Sequence, residues 1–247
     1  MAQLKIPSLQ HLARNWRPEP ERVKRCLVKL VEDPPIFSYR ALFSAVRDIL
    51  VLGVNYDQVI EGIRRGIKQE DVRNNFLEVL PLIYEHFENV TPSYVESVSR
   101  RYYAAGRDLL IPFDPPLIYG AGGRMHFPWF SFWRSNPLDK ERLSLFVTIV
   151  EEVLLQDPDL ENAKFTILDF SREKATPAVP KPPRTLKVID AINIPRVPHD
   201  RKVEMLNIFA AGYKMAQAEL AVRPASRPRD RRRPEADVRD AHPDLFD

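Results

Sequence analysis

The sequence predicts an α+β fold: a helical N-terminal half, then a small, mostly antiparallel sheet covered by helices, then a disordered C-terminal tail. Three observations predict it. Apolar residues recur at helical spacing through the first ninety residues. From Thr91 the pattern breaks into short apolar runs separated by prolines and glycines. From Arg223 the chain is dense in charge and poor in apolar residues, a composition that cannot build a core. The regions expected are 1–90, 91–222 and 223–247.

In the first region, Glu21 to Glu32 places Val23, Leu27, Leu30 and Val31 on one face, and Pro34-Pro35 ends the run. Ser38 is a candidate cap for a helix carrying Leu42, Phe43, Val46, Ile49 and Leu50, closed by Gly53. Asn55, with Gln58 three residues on, resembles a capping box for a helix through Arg65. A longer helix runs from Gln69 to Asn89, with Phe76, Val79, Leu80 and Ile83 inward, and Pro81 is expected to kink it. Two short helices around the Gly53 turn can also be read as a helix-turn-helix, although most such pairs only pack.

In the second region, Val95–Tyr103 reads as a strand or a helix, with strand favoured. Leu109–Phe113 and Pro116–Tyr119 are short apolar runs broken by Asp114-Pro115-Pro116, and Gly120-Ala121-Gly122-Gly123 is a tight turn. Arg124 to Trp133 reads as a strand whose Pro128 points to an edge or a bulge. Leu138 to Leu155 is a strong helix with a stripe of Leu143, Phe146, Val147, Val150 and Leu154. Lys164–Phe170 and Thr185–Ile189 read as strands, joined through a proline-rich extended loop. Pro198 to Ala221 is the last helix, with Val203, Leu206, Phe209, Tyr213 and Leu220 roughly on one face.

The composition excludes several classes. With 247 residues, 44% of them hydrophobic and 29% charged, the chain can bury a substantial core. The longest apolar runs fall well short of a membrane span, and the first residues lack the apolar stretch of a signal peptide, so a cytoplasmic protein is expected. The single cysteine, Cys26, excludes an internal disulfide. Phosphate-loop and nucleophile-elbow motifs are absent, and the five histidines lack metal-ligand spacing. We therefore expect no cofactor, no metal and no enzymatic activity. The nearest approach to an enzyme is Glu161, Asp169 and Glu173 around one strand, which can be read as a divalent-metal nuclease site or as solvated strand-end carboxylates.

Two features point to partners. Arg223, Arg227, Arg229, Arg231, Arg232 and Arg233 are six guanidinium groups within eleven residues, able to contact nucleic-acid phosphates or to act as a solubilising linker. Two Leu-Phe segments, Arg142-Leu143-Ser144-Leu145-Phe146 and His242-Pro243-Asp244-Leu245-Phe246, have an apolar pair preceded by Ser or Asp.

Both segments resemble the short peptide with which bacterial proteins grip the DNA polymerase sliding clamp. That peptide commonly opens with Gln, which neither segment has. Arg142, Leu143, Ser144, Leu145 and Phe146, and Asp244, Leu245 and Phe246, are the candidate partner-binding residues. Together with the absence of catalytic motifs, these segments resemble replication-inhibiting toxins of the SocB kind, from type VI toxin–antitoxin systems. The resemblance implies occupation of the clamp's peptide pocket, exclusion of replication proteins, and an antitoxin that delivers the toxin to the ClpXP protease.

Overall fold

The computed structural model describes residues 4–34, 38–106 and 108–222. Seven helices occur in it: α1 (Leu9–Asn15), α2 (Pro20–Glu32), α3 (Arg40–Leu52), α4 (Tyr56–Gly66), α5 (Glu70–Phe87), α6 (Lys140–Leu154) and α7 (His199–Val222). The strands are β1 (Tyr94–Glu96), β2 (Arg101–Ala105), β3 (Leu109–Phe113), β4 (Ile118–Ala121), β5 (Arg124–Ser131), β6 (Lys164–Asp169) and β7 (Lys187–Asp190). Five strands form one sheet in the order β1-β4-β5-β6-β7, and β2 and β3 form a separate antiparallel pair. In the main sheet only β5 and β6 run parallel, joined through α6. The α+β class and the helical N-terminal region are as expected.

Strand β5 sets the layering. Successive side chains on a strand point to opposite faces. Here Phe127 and Trp129 face one way, and Phe130 and the following Phe132 face the other. The first pair packs with α1, α2, α6, α7 and the β2–β3 pair. The second packs with α3, α4 and α5. Neighbouring β6 follows suit, with Phe165 and Ile167 on the first side and Leu168 and Phe170 on the second. The first ninety residues are therefore shared between both faces. Helix α2 packs with α7, and α1 with α6 and β3, across position 90, instead of with α3–α5.

Pro128 does not mark an edge. Strand β5 is central, paired to β4 on one side and to β6 on the other. The proline is tolerated because pairing with β4 stops at Tyr119↔His126, so at Pro128 only β6 is paired. The turn into β5 is Gly122-Gly123, with φ of 56° and 71°, flanked by the pair Ala121↔Arg124. Two positive φ values suit the right-handed twist of a hairpin and favour glycine at both places.

Local signals explain other elements. Asn55 caps α4 by accepting a 3.0 Å hydrogen bond from the Gln58 backbone. Ser38 Oγ accepts from the Arg40 backbone at 3.2 Å, although the capping position of α3 itself is Tyr39. Helix α5 continues through Pro81, which lies on its exposed side. On α7 the buried face is Met205, Leu206, Phe209, Gly212, Tyr213, Ala216 and Leu220, while Val203 is exposed.

Helices α2 and α7 meet at Gly212. A Cβ there would sit 2.6 Å from Val23 Cβ and 2.7 Å from the Pro20 carbonyl oxygen. Gly212→Ala is expected to lower stability by about 1–3 kcal/mol through overpacking. Gly62→Ala, in α4 with open space around it, is expected to raise it by up to about 1 kcal/mol. Urea denaturation of the two variants checks both signs.

Candidate functional site

The internal Leu-Phe segment opens α6. Arg142 donates from Nε to Asp139 at 3.0 Å, and the Ser144 carbonyl accepts from Thr148 Oγ1 at 2.7 Å. Leu143 is half-buried against the core. Leu145 and Phe146 are both 0% exposed. The Phe146 ring lies 5.3 Å from the Trp129 ring and 6.3 Å from that of Phe165. The stripe read from the sequence was too narrow: α6 buries every residue from Leu145 to Val150, because it is covered from several sides. Its Leu-Phe pair is core, and presenting it to a partner would require α6 to open.

The other segment, with Asp244, Leu245 and Phe246, lies outside the described residues, as do Arg223, Arg227, Arg229, Arg231, Arg232 and Arg233. What is described is their point of departure. Val222, the last residue of α7, is 81% exposed.

The three carboxylates around β6 do not converge. Glu161 precedes the amino end of the strand, whereas Asp169 ends it, roughly 16 Å away at about 3.3 Å per residue. Glu173 pairs with Lys187 at 2.7 Å. Among the described residues no group of three or more His, Cys, Asp or Glu side chains is placed to hold a metal ion.

The structure assembles a different polar cluster, at the carboxyl ends of β5 and β6. Arg184 is fully buried there. Its Nη1 donates to the carbonyls of Phe132, Trp133 and Phe170 at 3.0, 2.9 and 2.9 Å, and its Nη2 donates to Asn75 Oδ1. Arg134 reaches the same Asn75 oxygen at 3.3 Å. Arg172 pairs with Glu78 of α5 and donates to the Pro182 carbonyl at 3.3 Å. Asp169, 1% exposed, accepts from the Ser171 backbone at 3.1 Å, from Ser171 Oγ at 3.0 Å and from Asn136 Nδ2 at 3.0 Å.

Burial pushes the Asp169 carboxyl above its ordinary range, against the pull of its Ser171 hydrogen bonds and of Lys187. Arg184 and Asn75 had no signal in the sequence, since 109 residues separate them. The Asp169-x-Ser171 spacing, which suits a local side-chain-to-backbone turn, was the one readable trace.

No family model, no curated protein and no solved structure matches this chain. Among the described residues no helix is long and apolar enough to cross a membrane.

Phe146→Ala is expected to cost about 3–5 kcal/mol of folding stability, as a large aromatic deletion in a closed core. Thermal or urea unfolding measures it, and a loss under about 1 kcal/mol would show the ring to be accessible. Asp169 makes a second expectation, about pH. An unfolded Asp ionises near pH 3.8, the folded carboxyl at higher pH. The wild-type chain therefore loses stability as pH rises from the unfolded value through the raised one, and keeps that loss above it. Asp169→Asn has no such charge, so its melting temperature relative to wild type should rise between about pH 4 and neutrality. A difference that does not change with pH contradicts this.

Proposed function

We propose that this protein acts without catalysis, by docking its C-terminal peptide on the bacterial DNA polymerase sliding clamp and competing with replication proteins for the clamp's pocket. The observation that carries this reading is the contrast between the two Leu-Phe segments. Leu145 and Phe146 are committed to the core. Leu245 and Phe246 come later in the sequence than Val222, the 81% exposed end of α7. Docking through Leu245 and Phe246 asks for no opening of α6. In the SocB-like reading the protein is the cytoplasmic toxin of a pair, and an antitoxin hands it to ClpXP.

The energetics suit a modest contact. A micromolar complex needs about 8 kcal/mol. Burying one Leu and one Phe contributes about 1.5–3 kcal/mol each. Rim hydrogen bonds from Asp244 and its neighbours, or contacts made by the body, supply the remainder. Such an apolar contact should respond weakly to salt.

The test is binding of the full chain to purified clamp, followed by fluorescence polarisation. The double variant Leu245→Ala, Phe246→Ala is expected to lose at least about tenfold in affinity, as befits removal of two anchors. Wild-type affinity should change little between roughly 50 and 200 mM salt, a range over which phosphate binding falls steeply. Equal binding by the double variant, or a steep salt dependence, contradicts the proposal.

A further inference from the structure

The carboxyl ends of β5 and β6 gather more positive charge than their carboxylates balance. Glu78 is shared by three cations: Arg172, Lys181 at 3.7 Å and Arg184 at 3.9 Å. The next carboxylate, Asp169, is enclosed by Asn136 and Ser171. Arg134 spends only its Nε on Asn75, a neutral acceptor. Among the described residues no carboxylate lies within ion-pair distance of Arg134 or Lys174. The two segments that leave the parallel pair, 131–142 and 169–187, carry eight Lys and Arg against four Asp and Glu. Their net charge of +4 exceeds the +3 of the whole chain, so the rest of the protein is slightly acidic. The charge is concentrated at one end of the sheet.

It is also spread across that end. The Arg14 guanidinium, from α1, lies 5.4 Å from the centre of the Trp133 ring. Arg142 donates to the Arg14 carbonyl at 3.5 Å. The Arg172 backbone N–H donates to the Arg134 carbonyl at 2.9 Å, which draws the second segment against the first. Arg134 and Arg172 then reach α5 on the opposite face of the sheet. The cations thus run from the α1 layer, across the sheet end, to the α5 layer, a distance of about 20 Å at roughly 10 Å per layer. A single phosphate needs a convergent cradle. Cationic side chains spaced over this length, with Lys174 and Lys181 exposed and Arg14 and Arg134 half-buried, instead match successive phosphates of a chain. Loops at the carboxyl ends of parallel strands are also where α/β sheets commonly take ligands.

We propose that this edge of the folded body binds the phosphodiester backbone of a nucleic acid, without reading its sequence. The surface is separate from the C-terminal peptide, and neither proposal depends on the other.

The test uses the full chain and anisotropy with fluorescent mixed-sequence oligonucleotides: single-stranded DNA, single-stranded RNA and duplex DNA. One variant carries Arg134→Gln, Lys174→Gln and Lys181→Gln. A second replaces the six arginines from Arg223 to Arg233 with Gln. The first is expected to lose at least about tenfold in affinity at low salt, and the slope of log affinity against log salt should shrink by about two to three. The second should retain the binding that the first set of substitutions weakens. An unchanged melting temperature shows that the first variant is folded; where it drops, Lys174→Gln with Lys181→Gln alone should still weaken binding measurably. The inference is overturned by wild-type affinity in the folded first variant, by no oligonucleotide binding in the wild type, or by loss of all binding in the second variant alone. Displacement of the oligonucleotide by polyglutamate at equal charge would assign the surface to an acidic protein. Displacement by micromolar inorganic phosphate would assign it to a small ligand. Either result also overturns the inference.

Discussion

The structure depends on the apolar character of β5 on both of its faces. Phe127 and Trp129 look one way, Phe130 and Phe132 the other, and all four are at most 1% exposed. A strand of this kind is stable only with a layer on each side. Helices α1, α2, α6 and α7 form one layer, and α3, α4 and α5 the other. The N-terminal helices are therefore part of the cover of a strand more than a hundred residues away from the start of the chain. The same demand decides the fate of the internal Leu-Phe pair. Helix α6 connects β5 to β6 and lies on the Trp129 face, so Phe146 fills space that the sheet requires to be filled.

Arg184 closes the carboxyl end of this arrangement. A buried guanidinium is costly unless its donors are taken up, and here Nη1 and Nη2 find four acceptors on three segments. The carbonyls it holds, from Phe132, Trp133 and Phe170, are those freed where β5 and β6 stop. Asn75 and Glu78 bring α5 into the same knot. Replacing the arginine would leave buried carbonyls without donors, at a cost on the order of 1–3 kcal/mol each. The positive charge that gathers there has a structural origin, in tying two strand exits to a helix, and an electrostatic consequence at the surface.

The elements with local causes were legible. The period of α2, the Asn55 cap of α4, the strand β6 and the length of α7 all follow from residues close in sequence. Where neighbours in space decide, the sequence misled or was silent. Pro128 suggested an edge or a bulge, whereas β5 is central and the proline is accommodated because β4 ends its pairing just before it. Helix α1 carried no apolar stripe, since Gln10, His11 and Asn15 are buried alongside Leu9 and Leu12. The Glu161, Asp169 and Glu173 grouping looked compact in letters and is stretched along a strand in space. The Arg184 cluster joins residues 14 to 109 positions apart, with no spacing that a local pattern could reveal. The tail's Leu-Phe ending keeps its meaning as a candidate peptide because its internal counterpart has been absorbed by packing.

The central claim is that the α6 Leu-Phe pair is locked in the cover of β5 and unavailable for docking. Native-state hydrogen exchange of the amides from 145 to 150 tests it most directly. The account predicts that they exchange only through global unfolding, with the same free energy and the same denaturant dependence as the amides of β5 and β6. Exchange through a local opening of α6 that leaves β5 and β6 protected would contradict it, and would return Leu145 and Phe146 to the surface as a usable peptide.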